Sequence, residues 1–142
     1  MGLKQIDHGS KEYKQVIQLR YSVMREPLGL GFTEEELEME AENIHIAAFE
    51  DEEILGCCML SKVDNDILQL RQMAVKDKLQ RKGIGGSILA FAENVSRDKG
   101  FKKIIMHSRD TAVGFYEKFG YKIKGEPFIE VKIPHRIMEK AL

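Results

Sequence analysis

The chain has 142 residues, 43% of them apolar and 32% charged, enough for one domain with one core and no need of disulfide or metal staples. No apolar run approaches the ~20 residues of a membrane span, so membrane, collagenous, disordered and disulfide-scaffold classes are excluded. Net charge is only −1 but is polarised: Glu26 to Ser61 holds eleven acids and no Lys or Arg, whereas 17 Lys and Arg against ten Asp and Glu follow from Lys62, without a nucleic-acid binder's dense basic stripe.

Met1 to Asp7 alternates as a short first strand and lacks a signal peptide's apolar stretch. Ser10 then precedes Tyr13, Ile17, Arg20, Tyr21 and Met24, a helical spacing that ends before Pro27. Residues 27–31, with one proline and two glycines, read as an irregular loop. Thr33 with Glu36 is a capping-box pair, and the acids behind it suit the positive end of a helix over 34–41. Strands are expected over 43–49, 54–63 and 67–75, with turns at Asp51-Glu52 and Asp64-Asn65.

The clearest element is a helix from Gly83 to Lys99, with Ile84, Ile88, Ala92 and Val95 on one face and Gly100 at its C-terminal cap. A strand over 103–107, a helix over 110–119 stopped by Gly120, and closing strands over 121–124 and 129–138 around Gly125 and Pro127 complete the order. This is a mixed α/β chain around one sheet, without internal repeat or linker. The adjacent Cys57 and Cys58 would point to opposite faces of a strand and so form no ordinary disulfide, which suits a reducing, cytoplasmic setting. His8, His45, His107 and His135 have no metal-ligand spacing, so no metal site is readable.

Chemistry concentrates in Gln80-Arg81-Lys82-Gly83-Ile84-Gly85-Gly86, between a strand and a helix. Glycines there admit a ligand close to the backbone, free N–H groups open the helix, and Arg81 and Lys82 add positive charge, a combination suited to a diphosphate. A Walker loop fails because Lys82 precedes its glycines, and a dinucleotide fingerprint fails because Ile88 stands where its third glycine belongs.

Q-R-K-G-I-G-G after the strand L-Q-L-R-Q-M-A-V resembles motif A, [RQ]-x-x-G-x-[GA], of the GNAT superfamily of acyl-CoA-dependent N-acetyltransferases. Ala112 to Tyr121, A-V-G-F-Y-E-K-F-G-Y, is similar to that family's A-x-x-F-Y-x-x-x-G-[FY] motif B, at family spacing. The resemblance covers residues 43–121 well and extends by topology to the first forty. It implies a central mixed, mostly antiparallel sheet of about six to seven strands, helices on both faces, and a single domain over 1–142. The implied reaction is attack by a neutral amine on the acetyl thioester of acetyl-CoA, a co-substrate, with no metal.

Residue by residue, the resemblance has backbone groups of Met73, Ala74 and Val75 hold the pantetheine arm at a bulge where two parallel strands splay. The N–H groups of Gln80, Arg81, Lys82, Gly83, Ile84, Gly85, Gly86 and Ser87 would hold the pyrophosphate, Gly85 too closely to tolerate a side chain. Phe115 and Tyr116 would lie beside the thiol, with the Tyr116 hydroxyl as acid toward the leaving group. The chain departs from the pattern twice: no Asn precedes motif B, and the usual central-strand carboxylate is Gln69. His135, and secondarily His107, are the candidate bases. The expected partner is a small-molecule amine, with no nucleic acid or membrane and a homodimer left open. A silent acyl-CoA-binding module is the alternative, and a binder of some other phosphate ligand a weaker one. The six glutamates from Glu34 to Glu42 would favour a cationic amine if their helix lined the acceptor entrance.

Overall fold

In a computed structural model that describes residues 1–80 and 82–142, the first half of the chain forms β1 (Gly2–Ile6), α1 (Lys11–Arg20), α2 (Glu34–Glu38), β2 (Ile44–Glu50) and β3 (Glu53–Lys62). β4 (Ile67–Val75), α3 (Ile84–Asp98), β5 (Lys103–Arg109), α4 (Val113–Glu117), β6 (Lys122–Glu130) and β7 (Ile133–Ala141) follow. One seven-stranded sheet has the order β1-β2-β3-β4-β5-β7-β6. Every neighbouring pair is antiparallel except β4 and β5, which are joined through α3 as a parallel pair requires.

Strand alternation sorts side chains into a core on each face. Leu68, Leu70, Ile104 and Met106 pack with Ile88, Leu89 and Ala92 of α3 on one face; Ala47, Cys57 and Ala74 pack with Tyr13, Val16 and Leu19 of α1 on the other. Each such buried aliphatic side chain is worth about 1.5–3 kcal/mol. Cys57 and Cys58 fall on opposite faces as free, buried thiols, and burial pushes both up in pKa, Cys57 to about 12. No helix among the described residues is long and apolar enough to cross a membrane.

Three local expectations are corrected. Residues 27–31 are not wholly irregular: a π-helical turn (Tyr21–Arg25) and a 3₁₀ turn (Glu26–Leu28) prolong α1, with Pro27 where its missing N–H costs nothing and Gly29 closing the turn at φ 70°. The Thr33–Glu36 capping box forms, yet α2 stops at Glu38 rather than 41. The expected helix over 110–119 is a 3₁₀ turn (Asp110–Ala112) followed by the five residues of α4.

The closing hairpin differs most. β6 runs straight through Gly125 and Pro127, where the register with β7 shifts between Lys124 and Phe128. Gly125 (φ 81°) lies within this irregular stretch, and Pro127 is tolerated because β6 is an edge strand. The turn itself is Val131-Lys132, both left-handed at φ 50° and 64°. Such a two-residue hairpin normally carries Asn-Gly or Asp-Gly, so nothing in the residue types marks it.

Beyond α2 the chain turns Glu40 inward, where it meets Arg20 in a bidentate pair at 2.7 Å and accepts from the Tyr13 hydroxyl at 2.9 Å. His45 Nε2 donates to the Glu40 carbonyl and His8 Nε2 to that of Leu37, so both histidines tie down this segment. Burial alone would raise the Glu40 carboxyl, but the Arg20 guanidinium overrides it and holds the group below its ordinary value. That contribution to stability is present above the ordinary carboxylate range and is lost as pH falls through the lowered value. Arg20→Ala strands a buried carboxylate and should cost about 3–5 kcal/mol in urea unfolding. A loss below about 1 kcal/mol would mean that water reaches Glu40 in the native state.

Candidate active site

The parallel pairing of β4 with β5 ends at Leu70 and Met106, and past that point the two strands separate. On its other edge β4 carries one extra residue: Cys57 pairs with Ala74 and Met59 with Arg71, leaving Gln72 and Met73 opposite Cys58. Gln72 takes φ 57°, the strained conformation that lets the strand bulge. The backbone from Arg71 to Val75 therefore has no strand partner toward β5 and can pair with an extended ligand instead. Gln72 Oε1, buried without a hydrogen-bond partner among the described residues, is an acceptor lacking an N–H.

α3 begins beside this opening. Gly83 takes φ 84° as its N-cap, and no side chain caps the helix. The first-turn N–H groups at Ile84, Gly85 and Gly86 lie in the positive field of a four-turn helix, an arrangement that fits a phosphate. Gln80 and Ser87 depart from the expected cradle: the Gln80 amide donates to Val75 O and Asp77 Oδ1 and the Ser87 hydroxyl to Gly83 O, while their backbone N–H groups donate to Asp77 O and Gly83 O and are not free for a ligand. Ile84 is buried in the core, Lys82 is exposed, and Arg81 lies outside the described residues.

Gly85 has a packing reason of its own besides the expected closeness to a ligand. A Cβ there would meet the Phe115 ring at 3.1 Å, and one on Gly86 the Phe119 ring at 2.7 Å. These glycines let Phe115 of α4 and Phe119 of the turn after it seat against α3, so Gly85→Val would press on Phe115 and would not leave the fold untouched. Phe115 packs edge-on against Tyr116 (ring centroids 5.0 Å) and tilted against Phe119 (5.1 Å).

The splay opens into a cavity of about 350 Å³ that is lined from both faces of the sheet. Gln69 to Met73 and Met106 to Arg109 line it from β4 and β5, Tyr116 reaches it from α4, Glu130 and His135 from the last hairpin, and Met24 and Arg25 close it. Tyr116 is 7% exposed, and its hydroxyl makes no hydrogen bond among the described residues. Burial raises its pKa, so it remains a proton donor at neutral pH. The His135 Nδ1 lies 2.7 Å from Ile133 O, and a carbonyl can only accept, so Nδ1 carries a hydrogen and in the neutral ring Nε2 is the nitrogen that can accept a proton.

Glu130 escaped the sequence reading. One carboxylate oxygen is 3.0 Å from His107 Nδ1, the other 3.7 Å from His135 Nε2, and Phe128 packs between the two imidazoles. The acidic segment does not take the place expected of it. No glutamate from Glu34 to Glu42 lines the cavity; Glu36 pairs with Arg25 and Glu40 is buried with Arg20.

A family model for the acetyltransferase (GNAT) domain matches residues 26–142. The "Uncharacterized N-acetyltransferase YjcF" of Bacillus subtilis is 28% identical over 136 residues, 95% of this chain and 96% of its own. The "Uncharacterized protein YyaT" of the same organism is 26% identical over 98 residues, 69% of this chain and 66% of its own length. Among solved structures, an aminoglycoside 6'-N-acetyltransferase complexed with coenzyme A superposes with a TM-score of 0.83 at 20% identity, covering 99% of this chain and 97% of that one.

Proposed function

The chain belongs to the GNAT acetyltransferase family, and from that premise we propose that it transfers the acetyl group of acetyl-CoA directly to a primary amine held in the β4–β5 cavity. The observation that carries this reading is the convergence, on one splayed strand pair, of an unpaired backbone edge, a buried proton donor and an imidazole with a free lone pair. Acetyl-CoA supplies an activated thioester; the chain does the rest.

Backbone groups of Met73, Ala74 and Val75 pair with the amides of the arm, and the α3 N-terminus with Gly83 to Gly86 receives the diphosphate. N–H groups on the bulged strand stabilise the carbonyl oxygen as it gains charge. His135 Nε2 takes the proton that the amine nitrogen sheds as the N–C bond forms, and Glu130 stabilises the resulting imidazolium. Tyr116 gives its proton to sulfur as the C–S bond breaks.

Burial does not disqualify so weak an acid. The same surroundings push the Cys58 thiol well above its ordinary value, and a thiolate leaving group there would gain basicity likewise. Release of thiol from acetyl-CoA in the presence of a broad amine panel, followed with a thiol reagent, tests the reading. Tight acetyl-CoA binding without thiol release on any amine would leave a silent acyl-CoA-binding module.

A further inference from the structure

Resting on that acetyl-transfer reading, we infer that the amine acceptor carries an acidic group, a carboxylate or a phosphate, which Arg25, Arg71 and Arg109 receive. All three arginines line the cavity beside Tyr116 and His135. Alternation explains why they share it: Leu68, Leu70, Ile104, Met106 and Ser108 point to the α3 side, so Gln69, Arg71, His107 and Arg109 point to the other. The π-helical turn after α1 brings Arg25 over that same face, its guanidinium resting on Phe32 with the ring centroid 4.3 Å away.

Arg71 and Arg109 form no ion pair among the described residues; Arg71 makes one 3.4 Å contact with the Ser61 hydroxyl. Arg25 has only a loose 3.5 Å pair with the exposed Glu36. The single carboxylate on the cavity wall, Glu130, is shared between His107 and His135. Three like charges around one cavity attract an anion to it, and a planar guanidinium is well matched to carboxylate and phosphate oxygens. The diphosphate of the co-substrate is not that anion, because its donors lie at the α3 N-terminus, the other end of the pantetheine arm. The field of the cavity is thus opposite in sign to the one that the acidic run in the sequence suggests.

Matched acceptors separate the outcomes. Glycine against glycinamide, and O-phosphoethanolamine against ethanolamine, differ in the anionic group and keep the primary amine; putrescine represents the cations. Initial rates of thiol release should give the anionic member of at least one pair a kcat/KM tenfold or more above its neutral partner and above putrescine, and the better pair tells carboxylate from phosphate. In Arg71→Gln and Arg109→Gln the ratio within that pair should fall toward one, through KM.

Calorimetric titration of the same compounds into the CoA-saturated protein provides a readout without turnover. Arginine-dependent preference for the anionic partner in binding, with no thiol release, would sink the transfer reading and keep the anion site. Turnover with equal or higher efficiency on the neutral or cationic amines would sink the anion site and keep the transfer reading. Neither binding nor turnover with either anionic amine would overturn the inference.

Discussion

Tyr116→Phe should lower kcat by roughly 10²–10⁴-fold while acetyl-CoA affinity and thermal stability stay nearly unchanged. The ring keeps its edge-on contacts with Phe115 and Tyr121, and the hydroxyl makes no hydrogen bond to the described protein that its removal would break. What disappears is the Tyr116 hydroxyl, and with it the proton that the departing sulfur needs; the other buried hydroxyl at the splay, Ser108, is spent on Arg109 O. Because burial raises the pKa of this phenol, it stays protonated beyond the neutral range. Loss of its proton is therefore not expected to shape the alkaline side of the wild-type profile. A poorer leaving thiolate depends more on the acid than a good one, so thioesters of more acidic thiols should narrow the gap between variant and wild type. Equal turnover of the two proteins would reduce Tyr116 to a packing residue.

Elements with a strong local signal were legible before any coordinates. The Thr33–Glu36 capping box, the amphipathic face of α3 and the alternating strands through β4 form close to where the residues place them. The hairpin at Val131-Lys132 and the bulge at Gln72 were not, because both rest on left-handed backbone in residues that rarely adopt it. Tertiary context imposes those conformations, and it is also what carries Glu130 to His135 across the β6–β7 turn.

The acidic run misled for a related reason. Charge counted along the chain says nothing about which face it covers. Here Glu40 is matched by Arg20 and Glu36 loosely by Arg25, and the arginines that line the cavity, Arg25 among them, are scattered singly from 25 to 109. The glycines of the Gly83 loop were legible as a group but not in their separate duties. Gly83 serves backbone geometry; Gly85 and Gly86 serve the seating of Phe115 and Phe119.

His135→Ala should reduce kcat/KM by a comparable 10²–10⁴-fold, with a signature that packing loss alone would not give. Its Nδ1–H is committed to Ile133 O, which fixes the ring and turns Nε2 toward Glu130 and the cavity. Imidazole added to the medium can enter the space left by the ring and should restore part of the rate. Glu130→Gln is the companion measurement. It keeps the shape and loses the charge that stabilises the imidazolium, so its loss should be smaller and confined to kcat. If imidazole restores nothing in a folded His135→Ala protein, the amine loses its proton to water and His135 serves only to hold the β6–β7 hairpin in place.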